Sequence, residues 1–154
     1  MKFEEFLVAL KLDQRLNLAD AVKAGACSIE FDNRVTINIE YDKAQAVAQV
    51  YCIAGRAPTV QRDAFFAMLL QAHMFGTATD GCMFGFAPQN EEIILFKTIA
   101  LGELDTATAI KQLESVVNQS IRWTAYLPEL LDDWEKKIAH AALSMAPTMM
   151  NARN

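Results

Sequence analysis

Two histidines, His73 and His140, are the chain's whole supply of imidazole. A nucleophilic mechanism would need one of them as the base for a serine or cysteine, held in turn by an orienting carboxylate. Neither lies in such a context, and His73 reads as a helix-surface or interface side chain. The adjacent carboxylates Glu91-Glu92 and Asp132-Asp133 offer the raw material of general acid–base work. Sequence neighbours project to different sides of a helix or strand, however, so these read as solvated surface charge. Asp80-Gly81, just ahead of an apolar run, is most simply a turn that uses glycine's freedom. Cys27, Cys52 and Cys82 are odd in number and far apart, without the paired spacing of a zinc site or a disulfide framework, so reduced and mostly buried thiols are expected. The 6 glycines form neither a dinucleotide fingerprint nor a phosphate loop. No catalytic residue, metal site or cofactor is therefore expected.

The bulk properties bound the remaining choices. A chain of 154 residues and 17.1 kDa with 53% hydrophobic content can bury a real core as one domain. Its net charge of -5 and pI near 5.0 oppose a phosphate-binding surface, which excludes nucleic acid as the expected partner. The longest apolar run, Ala64 to Leu70, falls far short of the ~20 residues that cross a bilayer, so no membrane partner is expected. The opening Met1-Lys2-Phe3-Glu4-Glu5 places acids where a signal peptide needs a basic and then an apolar stretch, pointing to the cytoplasm.

The elements that would position any site follow from periodicity. Phe3, Phe6, Leu7 and Leu10 share one helical face within the first sixteen residues, away from Glu4, Glu5, Lys11 and Asp13. After a break at Gly25, Ser28 to Asp32 reads as a short strand, with Asp32-Asn33 as the turn of a hairpin. Val35, Ile37, Ile39 and Tyr41 alternate with polar residues, and Ala46 to Ile53 is a third β-rich run, making residues 26 to 54 a three-stranded antiparallel meander. A second helix is expected from Pro58-Thr59, with Thr59 as its N-cap, to about Phe75, where Gly76 suits a left-handed stop. Cys82 to Phe86 and Glu92 to Ile99 form another hairpin around Pro88-Gln89-Asn90. Asp105 caps a third helix marked by Ile110, Leu113, Val117 and Ile121, which is expected to break near Pro128. Beyond that, Leu130, Leu131, Trp134, Ile138, Ala141 and Met145 mark an appended amphipathic helix, and Pro147 with the polar ending 151–154 reads as a frayed tail. The expected class is α+β: helix, three-stranded meander, helix, two-stranded hairpin, helix, and an extra C-terminal helix. The corresponding division is residues 1–127 as the domain and 128–154 as the helix and tail.

The second helix carries more apolar surface than one sheet can cover. Phe65, Phe66, Ala67, Met68, Leu69, Leu70, Ala72 and Met74 spread over roughly two thirds of its circumference. In so small a domain the excess is best met by a partner chain, which implies a homodimer. The Phe-Leu face of the first helix and the Trp134 face are further apolar surfaces of the kind that recognise polypeptide. Met68, Met74, Met83, Met145, Met149 and Met150 lie on or near them, and flexible thioethers adapt to irregular partners.

The order of elements resembles the class I type III secretion chaperones of the Tir-chaperone (CesT-like) family. Gly25-Ala26-Cys27-Ser28-Ile29-Glu30-Phe31-Asp32 resembles the family's first strand, and Leu69-Leu70-Gln71-Ala72-His73-Met74-Phe75-Gly76 the end of its central helix. Thr79-Asp80-Gly81-Cys82-Met83-Phe84-Gly85-Phe86-Ala87-Pro88 is similar to its fourth strand and turn. Ile94-Leu95-Phe96, Leu101, Leu104-Asp105, Trp123 and Leu127 resemble its fifth strand, linker and last helix, so the likeness spans residues 3 to 127. It implies a small, acidic, cytoplasmic, non-enzymatic homodimer that holds the N-terminal segment of a secreted effector extended and presents it to the export machinery, with the secretion-system ATPase as a further partner. It also implies a dimer interface at Phe65, Phe66, Leu69, Leu70, Met74, Met83 and Phe84, and effector contacts at Phe3, Phe6, Leu10, Ile29 and Phe31. Residues 128–154 depart from the family pattern. The competing reading is a small α+β enzyme or small-molecule-binding domain with a cleft beside the sheet, since a fold does not dictate a function.

Overall fold

The computed structural model describes residues 1–10 and 16–145. Strict alternation in the second strand sets the frame. Val35, Ile37 and Ile39 are buried while Thr36 and Glu40 are exposed, as a two-residue period requires when one sheet face meets the core. β1 (Ala26–Phe31), β2 (Val35–Asp42) and β3 (Val47–Arg56) form the expected antiparallel meander. The first turn holds Asp32 and Asn33 in left-handed backbone (φ 53° and 52°) and closes with the Arg34 N–H donating to the Phe31 carbonyl at 2.9 Å, chemistry that these two residue types tolerate well. β4 (Met83–Ala87) and β5 (Glu92–Ile99) make the second hairpin. β5 pairs antiparallel with β3, so the five strands run β1-β2-β3-β5-β4, with β1 and β4 at the edges.

Register sorts the side chains into two faces. Ile29, Ile37, Val50, Cys52, Leu95 and Phe84 share the inner face, and all of them are buried. The helices lie on this side: α1 (Phe3–Ala9), α2 (Leu18–Ala24), α3 (Arg62–His73) and α4 (Thr106–Met145). Asp105 caps α4 as expected, accepting the Thr108 N–H at 2.8 Å and the Thr108 hydroxyl at 3.0 Å. Those hydrogen bonds to the ionised form hold its carboxyl below the usual carboxylate range.

Three expectations need correction. The first helix ends at Ala9, and a separate short helix, α2, precedes Gly25; it is capped by the Asn17 side chain accepting from Asp20 and stopped by Gly25 at φ 67°. Lys11 and Asp13, assigned above to a single first helix, lie outside the described residues. Thr59 is not an N-cap: α3 begins at Arg62 behind Gln61, whose left-handed φ of 48° turns the chain into the helix. The expected break near Pro128 is absent, and α4 runs through that position. Proline removes one backbone hydrogen bond there, but Leu127 on one side and Trp134 on the other hold both halves of the helix to the same core, so tertiary packing overrides the local preference. Leu127 is fully buried against β3, close enough that a Cβ on Gly55 would come within 2.9 Å of it, and Trp134 meets Phe65 edge-on at 5.4 Å. Pro147, Met149, Met150 and the tail lie outside the described residues.

Candidate interaction surfaces

The face of α3 and β4 carries the first candidate surface. Of the residues expected to contact a second copy, the fold buries Phe65, Leu69 and Phe84 within the protomer. Phe84 packs edge-on against Trp123 at 4.8 Å. Leu70, Met74 and Met83 stay 58%, 53% and 40% exposed, and Phe66 is half-buried against Phe86 at 4.9 Å. Phe75, which sequence reasoning left out of the interface, is 95% exposed. It sits in the short 3-10 turn Met74–Gly76 with a left-handed φ of 57°. A stripe on a helical wheel does not reveal such a residue, because the helix has already ended at His73. Between the two elements runs an apolar groove of about 180 Å³, walled by Phe66, Leu69 and Leu70 of α3 and by Phe84, Gly85 and Phe86 of β4.

The outer edge of β4 is partly closed by side chains. The Thr79 hydroxyl donates to the Cys82 carbonyl at 2.6 Å, and the Phe84 N–H donates to Nδ1 of His73 at 2.8 Å. Pairing alternates along an antiparallel strand, so Phe86 presents the next outward donor and acceptor, beyond these two caps.

A second groove, of about 590 Å³, opens between the end of α1, the end of β1 and the first half of α4. Leu10 and Phe31 line it together with Ala9, Ile110, Leu113 and Val117, and Glu114 and Asn118 stand at its polar side. Of the effector-contact residues expected from the resemblance, Leu10 and Phe31 belong to this groove. Phe3, Phe6 and Ile29 are instead core residues, 4%, 0% and 3% exposed, with Phe3 stacked on Tyr41 at 4.8 Å. Ile110 and Val117, which mark the apolar face of the third helix in the sequence, line this groove. The same helical spacing suits a core-facing stripe and a groove wall alike.

The outer sheet face is uncovered by any described element, and it divides into two halves. Towards β1 and β2 it is polar, with Ser28 donating to Asn38 at 2.6 Å and the Tyr51 hydroxyl donating to Glu40 at 2.6 Å. That hydrogen bond, with some burial and the nearby carboxylate charge, pushes the Tyr51 phenol up to about 12. Towards β4 the same face carries Ile53, Ile94, Phe96 and Met83, cross-strand neighbours by register.

The three cysteines are shielded. Cys52 and Cys82 are buried, and burial is the main cause that raises both thiols, Cys82 to about 11; a thiol so placed stays protonated and unreactive at neutral pH. Cys27 is half-buried and raised for the same reason. Among the described residues no cluster of His, Cys, Asp or Glu is arranged to hold a metal ion, and no helix is long and apolar enough to cross a membrane.

Comparison with known proteins agrees with this architecture. The model of the Tir chaperone protein (CesT) family matches residues 9–124. No curated protein sequence matches the chain. Among solved structures the fold is similar to a chain of the HopA1–SchA chaperone–effector complex, with a TM-score of 0.58, 13% identity, and coverage of 79% of this chain and 89% of that one. It is also similar to a chain of the ExsC–ExsE complex, at TM-score 0.55, 16% identity, and 81% and 96% coverage. A third likeness is to a chain of the heterodimeric ExoU–SpcU complex from the type III secretion system of Pseudomonas aeruginosa, at TM-score 0.52, 12% identity, and 66% and 81% coverage.

Proposed function

The chain belongs to the Tir chaperone protein (CesT) family, and from that premise we propose that it is a type III secretion chaperone. In this reading it works in the cytoplasm as a homodimer, binds the N-terminal segment of a secreted effector, keeps it soluble and extended, and delivers it to the secretion-system ATPase. Holding and releasing a chain involves no enzymatic step and no cofactor.

The observation that carries this reading is the groove shared by Leu10, Phe31, Ile110 and Val117. It is apolar along its walls and bounded at one side by polar groups, the form expected of a surface that receives apolar side chains from another polypeptide. It also lies beside β1, a strand whose outer edge no other described strand pairs, where an incoming extended segment gains backbone hydrogen bonds as well as side-chain pockets. Ordering a disordered client costs about 2–5 kcal/mol or more, so one groove is a small return. Two protomers joined through the α3–β4 face double the receiving surface and let one client span both.

The test is co-expression with an effector gene from the same locus in the native host. The expected result is an insoluble effector made soluble and recovered with two copies of this chain per client. An effector that stays insoluble and unbound, while the chain remains alone, contradicts the proposal.

A further inference from the structure

We propose that Phe75 is the reciprocal anchor of the homodimer, the phenyl ring of each protomer seating in the apolar groove between α3 and β4 of the other. This rests on the homodimer proposed above and specifies how its surface closes.

Phe75 is the most exposed large apolar side chain among the described residues, at 95%. Its exposure is built rather than incidental. The backbone around it is tied by the Ala78 N–H donating to the Ala72 carbonyl at 3.1 Å and by the Thr77 hydroxyl donating to the Met74 carbonyl at 2.9 Å. The next residue, Gly76, packs so closely on Gly81 that a Cβ there would come within 2.7 Å of the Gly81 nitrogen. Phe75 itself is held at φ 57°, a conformation rare for a bulky residue, and such outliers persist where the surroundings over-determine them.

The same surface holds a receptacle of matching size. The groove is about 180 Å³ and almost wholly apolar, and a cavity of roughly 150 Å³ lined by apolar side chains is enough to accept benzene. A twofold interface demands that knob and hole lie on one patch, because each protomer must both give and receive. Phe66 against Phe86 places the N-terminal half of α3 at the far end of β4, and His73 against Phe84 places its C-terminal end at the near end, so α3 and β4 run antiparallel. Leu70, 58% exposed, stands midway in sequence between Phe66 and Phe75. A twofold axis passing near Leu70, with the two α3 helices antiparallel, therefore carries Phe75 of one copy over Phe66 of the other.

Charge and area favour a second copy as the occupant. Residues 64–79 and 83–90 contain no Asp, Glu, Lys or Arg, so α3 beyond Asp63 and β4 themselves bring no like charges together between two chains of net charge -5, and the exposed Asp80 lies at the border of the patch. An aromatic side chain buries roughly 150–250 Å². With the exposed Leu70 and Met74 near it in the chain, the pair of anchors supplies part of the about 800 Å² per partner that a stable interface needs.

The experiment is sedimentation over a concentration series for the wild-type chain, Phe75→Ala, Phe75→Gly, Phe66→Ala and the Phe75→Ala/Phe66→Ala double variant, with thermal unfolding of each. The expected result is a wild-type dimer whose Kd rises at least about 100-fold in Phe75→Ala and Phe75→Gly, since two symmetry-related anchors are lost at once. Unfolding of the protomer should not be impaired, least of all in Phe75→Gly, which relieves the left-handed backbone. The double variant should weaken the dimer less than the two single effects combined, as residues in contact do. A wild-type monomer overturns the homodimer and this proposal together. A wild-type dimer that Phe75→Ala leaves unchanged, or fully additive single effects, overturns the anchor alone. A dimer that persists in Phe75→Ala while effector co-purification is lost overturns it in favour of the client as the occupant.

Discussion

The backbone N–H of Phe84 donates to Nδ1 of His73 at 2.8 Å, so an imidazole from α3 covers the first outward donor of edge strand β4. The two rings also stack at 5.9 Å, with 22° between their planes. One side chain thus fastens the helix to the strand and shields the strand edge from adventitious pairing. The acceptor role requires Nδ1 to be the unprotonated nitrogen.

Replacing His73 tests this directly. His73→Ala leaves a largely shielded N–H without its acceptor, and the expected loss is about 1–3 kcal/mol in urea-induced unfolding. A variant as stable as the parent, with unchanged α3–β4 packing, contradicts the assigned role.

Pro128 lies inside continuous α4 and forfeits a backbone hydrogen bond. Pro128→Ala restores a donor without removing a buried contact, since Pro128 is exposed. Stabilisation of about 1–3 kcal/mol is expected, seen as a raised unfolding midpoint. A neutral or lowered midpoint shows that proline sets a bend which the packing of Leu127 and Trp134 requires.

The extent to which this fold was readable beforehand depended on what each pattern encodes. Val35, Ile37 and Ile39 announce a half-buried strand because a period of two has no helical counterpart, and Asp105 announces a helix start because its carboxylate meets local N–H groups. Both signals are local. Pro128 misled because a proline's effect on a helix depends on what flanking residues such as Leu127 pack against in space. Phe3 and Phe6 misled differently: an apolar helical face is identical in sequence whether it covers its own core or awaits a partner, and here it stacks on Tyr41. Leu10 and Phe31 reach a groove because they stand at the ends of their elements, where the core runs out. Phe75 was not legible as an exposed apolar residue because its exposure depends on a turn held by Gly76 and Gly81.

This division separates binding from folding in the groove proposed for the client. Leu10→Asp and Phe31→Asp place a charge on the groove wall, so effector co-purification should fall at least about 10-fold while the protomer stays folded. Phe6→Asp buries an unpaired carboxylate at a position that is 0% exposed, so loss of folded protein is expected instead. Full effector binding by both Leu10→Asp and Phe31→Asp places the client elsewhere.

Cys52 and Cys82 should resist alkylation in the native state at neutral pH, because burial keeps each thiol protonated and out of reach. Both should react once the chain is unfolded in denaturant. Rapid native-state modification of Cys82, measured by peptide mass, contradicts the packing of β4 and the turn that precedes it.

Light scattering coupled to size-exclusion chromatography tests the central claim most directly, with the chain measured alone and after co-expression with its effector. The account predicts twice the 17.1 kDa chain mass for the free protein, and the mass of that dimer plus one effector for the complex. A free protein at the mass of a single chain, with no effector bound after co-expression, contradicts it.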